Sequence, residues 1–224
     1  MNLDDNIYHS DPWPFWEIHD VFDTNTLEFL HNVELTEFNS RLVTDSNRDV
    51  FRFTKKNAKK YSYVAKIVNK LLDSQTIQLL EKIGERVGAE KFKHSYVRVD
   101  LTIDKAGFNL KPHLDRKSKL FTMQVFLPDR TCQQNVGTEI YNEQLQIVHK
   151  LPFTDNCGYF FYPRSKHDKK QWHGMMHPCT GDRRTLLVNY ICKQDEDTRG
   201  EELVGYKKLL SNKMNTLEDW WNVR

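Results

Sequence analysis

The chain has 224 residues, 38% of them hydrophobic, 29% charged and 12% aromatic, with a formal net charge of +2. That length suits one domain around a single large core, the aromatic content argues against disorder, and the balanced charge gives no drive toward nucleic acid or an anionic membrane. Asp4, Asp5 and Asp11 interrupt any secretory leader, no apolar run is long enough to span a bilayer, and Cys132, Cys157, Cys179 and Cys192 contain no CxxC pair that would suggest a structural zinc site. The expectation is one domain over residues 1–224 in a reducing cytoplasm.

In chain order, Pro14 to Ile18 reads as a short strand. Asp23 then reads as the N-cap of an amphipathic helix that starts with Leu27, Leu30 and His31. The basic run Lys55 to Tyr61 reads as a solvated turn before a helix, in preference to a phosphate-binding patch. Val64, Ile67, Val68, Leu71 and Leu72 follow helical spacing. Ser74 is expected to cap a further helix carrying Ile77, Leu80, Ile83 and Val87, weakened by Gly84 and ended by Gly88.

Beyond Gly88 the segments 93–103, 119–127, 136–141, 145–151, 157–162 and 183–192 are short and β-prone, and turn residues separate most of them. Helices first and strands after argue for α+β, with helices packed on one face of a β-sandwich or jelly roll. Trp220 and Trp221 near the C-terminus read as packing residues.

The chemistry concentrates in two segments. In Gly107-Phe-Asn-Leu-Lys-Pro-His113-Leu-Asp115, His113 and Asp115 stand two positions apart, so on an extended chain they point to one side and an imidazole nitrogen and a carboxylate oxygen reach one metal ion. Alone, such a triplet is weak. In Gln171-Trp172-His173-Gly174 a lone histidine precedes a turn, and Arg183-Arg184-Thr185 opens a strongly β-prone strand. A histidine from a distant strand would complete a two-His, one-carboxylate facial triad. That triad leaves positions on Fe(II) for a chelating cosubstrate and O2. A cation buried in a barrel needs an anion, and the far carboxylate of 2-oxoglutarate would supply one.

Together these segments resemble the Fe(II)/2-oxoglutarate oxygenase superfamily, in its small prolyl-hydroxylase-like branch. PFWEIHDVFD is similar to that group's opening strand and helix cap. GFNLKPHLDRKSKLFTMQVFLP is similar to its metal-binding strand pair, VGTEIY and GYFFYP to the strands between, and WHGMMHPCTGDRRTLLVNYI to its distal histidine and cosubstrate arginine. The spacing of ten residues from His173 to Arg183 matches that pattern.

The resemblance implies a double-stranded β-helix (jelly-roll) core with N-terminal helices packed on one sheet, and iron held by His113, Asp115 and His173. It also implies 2-oxoglutarate anchored by Arg183 and Thr185. Arg184 is expected on the opposite strand face. The implied reaction hydroxylates a C–H bond of a small-molecule or peptide substrate with release of succinate and CO2.

One departure concerns the tyrosine that many relatives carry on the strand before the HxD motif. Tyr96 is the nearest here, with Arg98 and Asp100 at alternate positions, and which of them faces the pocket stays open. His177 and His167 compete less well than His173 for the metal. His9, His19, His31, His94 and His149 read as surface or satisfied core residues. The competing functional readings are a metal-dependent β-barrel enzyme that does not use 2-oxoglutarate, a non-catalytic binding module, and an oxygenase acting on nucleic acid through Lys55–Lys60. Substrate specificity is expected in the loops 40–62, 128–136 and 163–171.

Overall fold

The computed structural model describes residues 1–33, 39–43, 46–92, 95–128, 136–192 and 204–205. Cys132, His94, Trp220, Trp221 and most of the 128–136 loop lie outside the described residues. Strands β1 (Asn6–His9) and β2 (Phe15–Ile18) lead into helix α1 (Thr24–Asn32), and β3 (Asn39–Val43) and β4 (Ser46–Arg52) follow. Three helices come next, α2 (Lys55–Lys60), α3 (Ser62–Leu72) and α4 (Ser74–Glu85). The remaining described elements are strands: β5 (Tyr96–Asp104), β6 (Leu110–His113), β7 (Lys119–Phe126), β8 (Glu139–Tyr141), β9 (Ile147–Lys150), β10 (Gly158–Phe161), β11 (His173–Met175), β12 (Arg183–Ile191) and β13 (Val204–Gly205).

Local chemistry accounts for the helix ends. Asp23 caps α1, its carboxylate accepting from the Thr26 N–H at 2.9 Å. At α4 the sequence expectation needs correction. Ser74 is the first helical residue, and the N-cap is Asp73, whose side chain makes no capping bond. The Asp73 carboxylate is instead 3.5 Å from the ammonium of Lys70. Gly88 follows α4 at φ +65°, a conformation that costs glycine little. The basic run 55–60 is a helix rather than a turn, because Thr54 caps it by accepting from the Asn57 N–H.

The strands form two antiparallel sheets among the described residues. The larger runs β1-β2-β10-β7-β12-β5-β4-β3, with β13 also pairing with β5, and the smaller runs β6-β11-β8-β9. The structure is mostly β with few helices, as in a jelly roll. The short strand β11 shows no pattern in the sequence because three residues are too few to show a period, and β6, four residues long, is implied only by resemblance.

The alternation of the three central strands places the site. On β7, Phe121, Met123 and Val125 join a core shared with Leu71 and Leu80 of the helices, while Thr122 and Gln124 face the other way. On β12, Leu186, Val188 and Tyr190 enter that core and Arg183, Leu187 and Asn189 face away. On β5, Val97, Val99 and Leu101 enter it and Arg98 faces away. Tyr162 and Tyr190 donate their hydroxyls to the carbonyls of Leu80 and Leu71, tying α4 and α3 to this face. A second cluster, including Trp13, Phe15, Phe126, Ile140, Phe161 and Met175, draws its residues from both sheets. The inner face of the large sheet is therefore apolar at one end and polar at its centre. Among the described residues no helix is long and apolar enough to cross a membrane.

Candidate metal and cosubstrate site

The polar centre of that inner face opens into a cavity of about 160 Å³. His113, the last residue of β6, and His173, the first of β11, are directly paired across the strands, with ring centroids 4.4 Å apart. Gly174 makes this approach possible, since a Cβ there would sit 2.7 Å from the Leu110 carbonyl oxygen of β6. Asp115 lies just past β6. One donor atom from each of His113, Asp115 and His173 falls within 4.8 Å of the others.

The supporting contacts prepare these atoms for a cation. The Nδ1 of His113 is 3.0 Å from the Lys111 carbonyl, and the Nδ1 of His173 is 2.9 Å from the Gln171 carbonyl. A carbonyl only accepts, so both rings carry their proton on Nδ1 and keep the Nε2 lone pair available. Burial lowers the pKa of both rings, and that of His173, with His113 beside it, is pushed down to about 4. Both imidazoles are thus neutral at neutral pH.

Burial alone would raise the Asp115 pKa, but the charge of Lys119 and hydrogen bonds from Lys119 and Thr122, both 2.5 Å long, hold it well below the usual carboxylate range. Asp115 is therefore ionised. Two neutral imidazoles and a carboxylate form the donor set of a facial-triad iron site, so the residues present fit Fe(II).

Arg183 is almost wholly buried, donating from Nε to the Val136 carbonyl at 2.6 Å and from Nη1 to Asp104 at 2.7 Å. Its guanidinium lies 5.3 Å from the Phe153 ring centroid and 5.7 Å from that of Phe126. Arg184 points to the opposite face and donates to the Leu30 and His31 carbonyls at the end of α1. Thr185 is on the strand face of Arg183, but its hydroxyl lies between Thr102 at 2.8 Å and the Gln124 amide at 3.3 Å, outside the cavity lining. Of Tyr96, Arg98 and Asp100, Arg98 lines the cavity, and the buried Asp100 pairs with Arg52 and lies 3.3 Å from Arg98. Tyr96 is not in the lining.

The two rival histidines are otherwise engaged. The Nδ1 of His177 meets the buried Glu139 at 2.5 Å, and the Nε2 of His167 lies 2.8 Å from the Gln171 amide. Trp172 does not line the cavity, and its carbonyl accepts from the Trp13 indole at 3.3 Å.

Several lining residues escaped the sequence reading. Thr122 and Asn189 are cross-strand partners, 3.1 Å apart, beneath Asp115. Tyr159 and Thr138 add hydroxyls, and Arg48, paired with Asp104, adds a cation 4.5 Å from the Phe108 ring centroid. The available signal was the polar residue at alternate positions of long β-prone segments, in YVRVDLTID, KLFTMQVF and RRTLLVNYI.

No family model matches the sequence, and no curated protein does. Solved structures do match. A Pseudomonas putida prolyl-4-hydroxylase superimposes with a TM-score of 0.60 at 12% identity, over 80% of this chain and 92% of that one. A prolyl hydroxylase from Trichoplax adhaerens, in complex with a peptide fragment of the hypoxia inducible factor oxygen degradation domain, gives 0.55 at 13% identity over 88% and 87%. An oxidoreductase of the 2OG-Fe(II) oxygenase family from Burkholderia pseudomallei gives 0.54 at 13% identity over 80% and 85%. The fold is therefore the jelly-roll-like fold shared with prolyl hydroxylases and other 2-oxoglutarate/iron(II) oxygenases.

Proposed function

We propose that this chain is an Fe(II)- and 2-oxoglutarate-dependent dioxygenase that hydroxylates a C–H bond of a small-molecule or peptide substrate, releasing succinate and CO2. Residues 1–224 would form one catalytic domain, with α3 and α4 buttressing the large sheet. The observation that carries the reading is the meeting of His113, Asp115 and His173 within 4.8 Å, on the cavity that Arg183 also lines. The likeness of fold to prolyl hydroxylases supports it.

Iron would supply O2 activation at this triad. The chain supplies position and charge. The Nε2 atoms of His113 and His173 and the Asp115 carboxylate would hold the metal. Arg183, fixed at two of its nitrogens, would pair the far carboxylate of 2-oxoglutarate. The lining carries Arg48, Arg98, Lys119 and Arg183; Asp104 and Asp100 pair with the arginines and Asp115 with Lys119, and the positive charge left over suits an anionic cosubstrate. Thr185 would act through Gln124, keeping the cavity floor ordered.

With a carboxylate at position 115 and not a small residue, no place is left for halide, so the product should be hydroxylated and not halogenated. Incubation with Fe(II), labelled O2, 2-oxoglutarate and excess chloride across a metabolite and peptide panel tests this. Succinate formation that requires all three triad residues, with label in a hydroxylated product, is the expected result. Full turnover after His173→Ala, or a chlorinated product, would overturn it.

A further inference from the structure

A second cluster of donors lies outside the cavity. His9 ends β1, Glu17 is on β2 and His149 is on β9. The Nε2 of His9 is 2.8 Å from Glu17 Oε1, and the Nε2 of His149 is 3.0 Å from the same oxygen. Both nitrogens are shielded from solvent, yet neither has a partner in hydrogen-bond geometry. The shared oxygen lies off the N–H direction of each ring, so the cluster is not a carboxylate bridging two imidazoles by hydrogen bonds.

Two buried nitrogens this close to an anionic oxygen need a partner, because an unsatisfied polar atom away from water is costly. A cation accepting the lone pairs of all three atoms satisfies them together. We propose that His9, Glu17 and His149 bind a divalent zinc-class ion. Two imidazoles and a carboxylate are borderline ligands that suit zinc, with water as the fourth donor.

The place in the fold says what such an ion does. β1 is an edge of the large sheet and β9 an edge of the small one. His9 and Glu17 come from the first and His149 from the second, so the ion joins the two sheets at their open margin. β9 has little apolar anchorage of its own, since Ile147 and Val148 are 45% and 47% exposed. Phe15 packs beneath the cluster, stacked on His9 at 4.5 Å and 5.5 Å from His149. The site is a structural clasp for an edge that hydrophobic burial leaves weak, and it does not depend on the function proposed for the cavity.

The test uses the full chain stripped of metal. In the background His113→Ala/His173→Ala, equilibrium dialysis against zinc followed by metal analysis should find one equivalent bound. Adding Glu17→Gln, which keeps size and shape, should remove it. In the otherwise unaltered chain Glu17→Gln should lower the zinc bound by one equivalent, a measurement that stands if the triad variant fails to fold. Zinc should also raise the thermal midpoint of the triad variant and leave that of its Glu17→Gln derivative unchanged. A folded triad variant that binds no zinc, or equal binding with and without Glu17→Gln, would overturn the proposal.

Discussion

Arg183 and Arg184 are neighbours in sequence and lie on opposite faces of β12, because side chains alternate along a strand. One enters the cavity against Asp104, and the other donates to the last carbonyls of α1. Arg183→Ala is expected to weaken 2-oxoglutarate binding by roughly 2–4 kcal/mol, since one buried charge is left unpaired. Arg184→Ala should leave that affinity almost unchanged and cost about 1–3 kcal/mol of stability through the lost charged hydrogen bonds. Anaerobic titration of the metal-loaded variants, paired with urea unfolding, separates the two effects. If Arg184→Ala carried the loss of affinity, the cavity would not be the cosubstrate site.

At the scale of elements, the proposed metal centre depends on β6 and β11 lying close. Gly174 permits this, and any Cβ there meets the backbone oxygens of Leu110 at 2.7 Å and Lys111 at 3.1 Å. Gly174→Val is expected to force the strands apart, destabilising the fold by about 1–3 kcal/mol as an overpacked contact. Metal affinity should fall as well, because His113 and His173 sit on the two strands that separate. Ala, smaller and on the same backbone, should show the same two effects to a lesser degree. Calorimetric metal titration beside thermal unfolding checks this. Unchanged affinity in a destabilised Gly174→Val would show that the histidines do not depend on strand spacing.

For the whole molecule, the triad couples stability to pH. Burial holds the folded-state pKa of His173 at about 4, below its ordinary value of 6.5. Between these values the unfolded chain binds more protons than the folded one, so stability falls as pH falls through that window. His113 is shifted the same way. Asp115, ionised when folded, loses its contribution only in stronger acid, again on lowering pH. The metal-free protein should lose about 2 kcal/mol between about pH 7 and about pH 5 from His173 alone. His173→Leu should flatten that slope, as read from urea midpoints at both pH values. An equal slope in the variant would mean that the ring titrates normally in the folded state.

The sequence alone specified the helices α1, α3 and α4 and the long strands β5, β7 and β12, because each spans enough residues to show a period of 3.6 or 2 or a continuous β-prone run, and α4 carries its own stop signal in Gly88; β3 and β4, which it read as part of a loop, it missed. It also singled out His113, Asp115, His173 and Arg183, because their residue types and spacing resemble a known pattern over two continuous segments. It did not show that β11 is a strand, that Asp73 rather than Ser74 precedes α4, or that Thr122, Asn189 and Tyr159 line the same cavity.

Tertiary structure alone decided those points. A three-residue strand exists only through its neighbours' hydrogen bonds, and a polar residue on a buried strand faces a cavity or a partner according to which sheet closes over it. The same reason separates His9 and His149 in the sequence reading, where both are isolated polar residues. They stand 140 positions apart in the chain, and only the closing of one sheet edge over the other brings their rings to the Glu17 carboxylate.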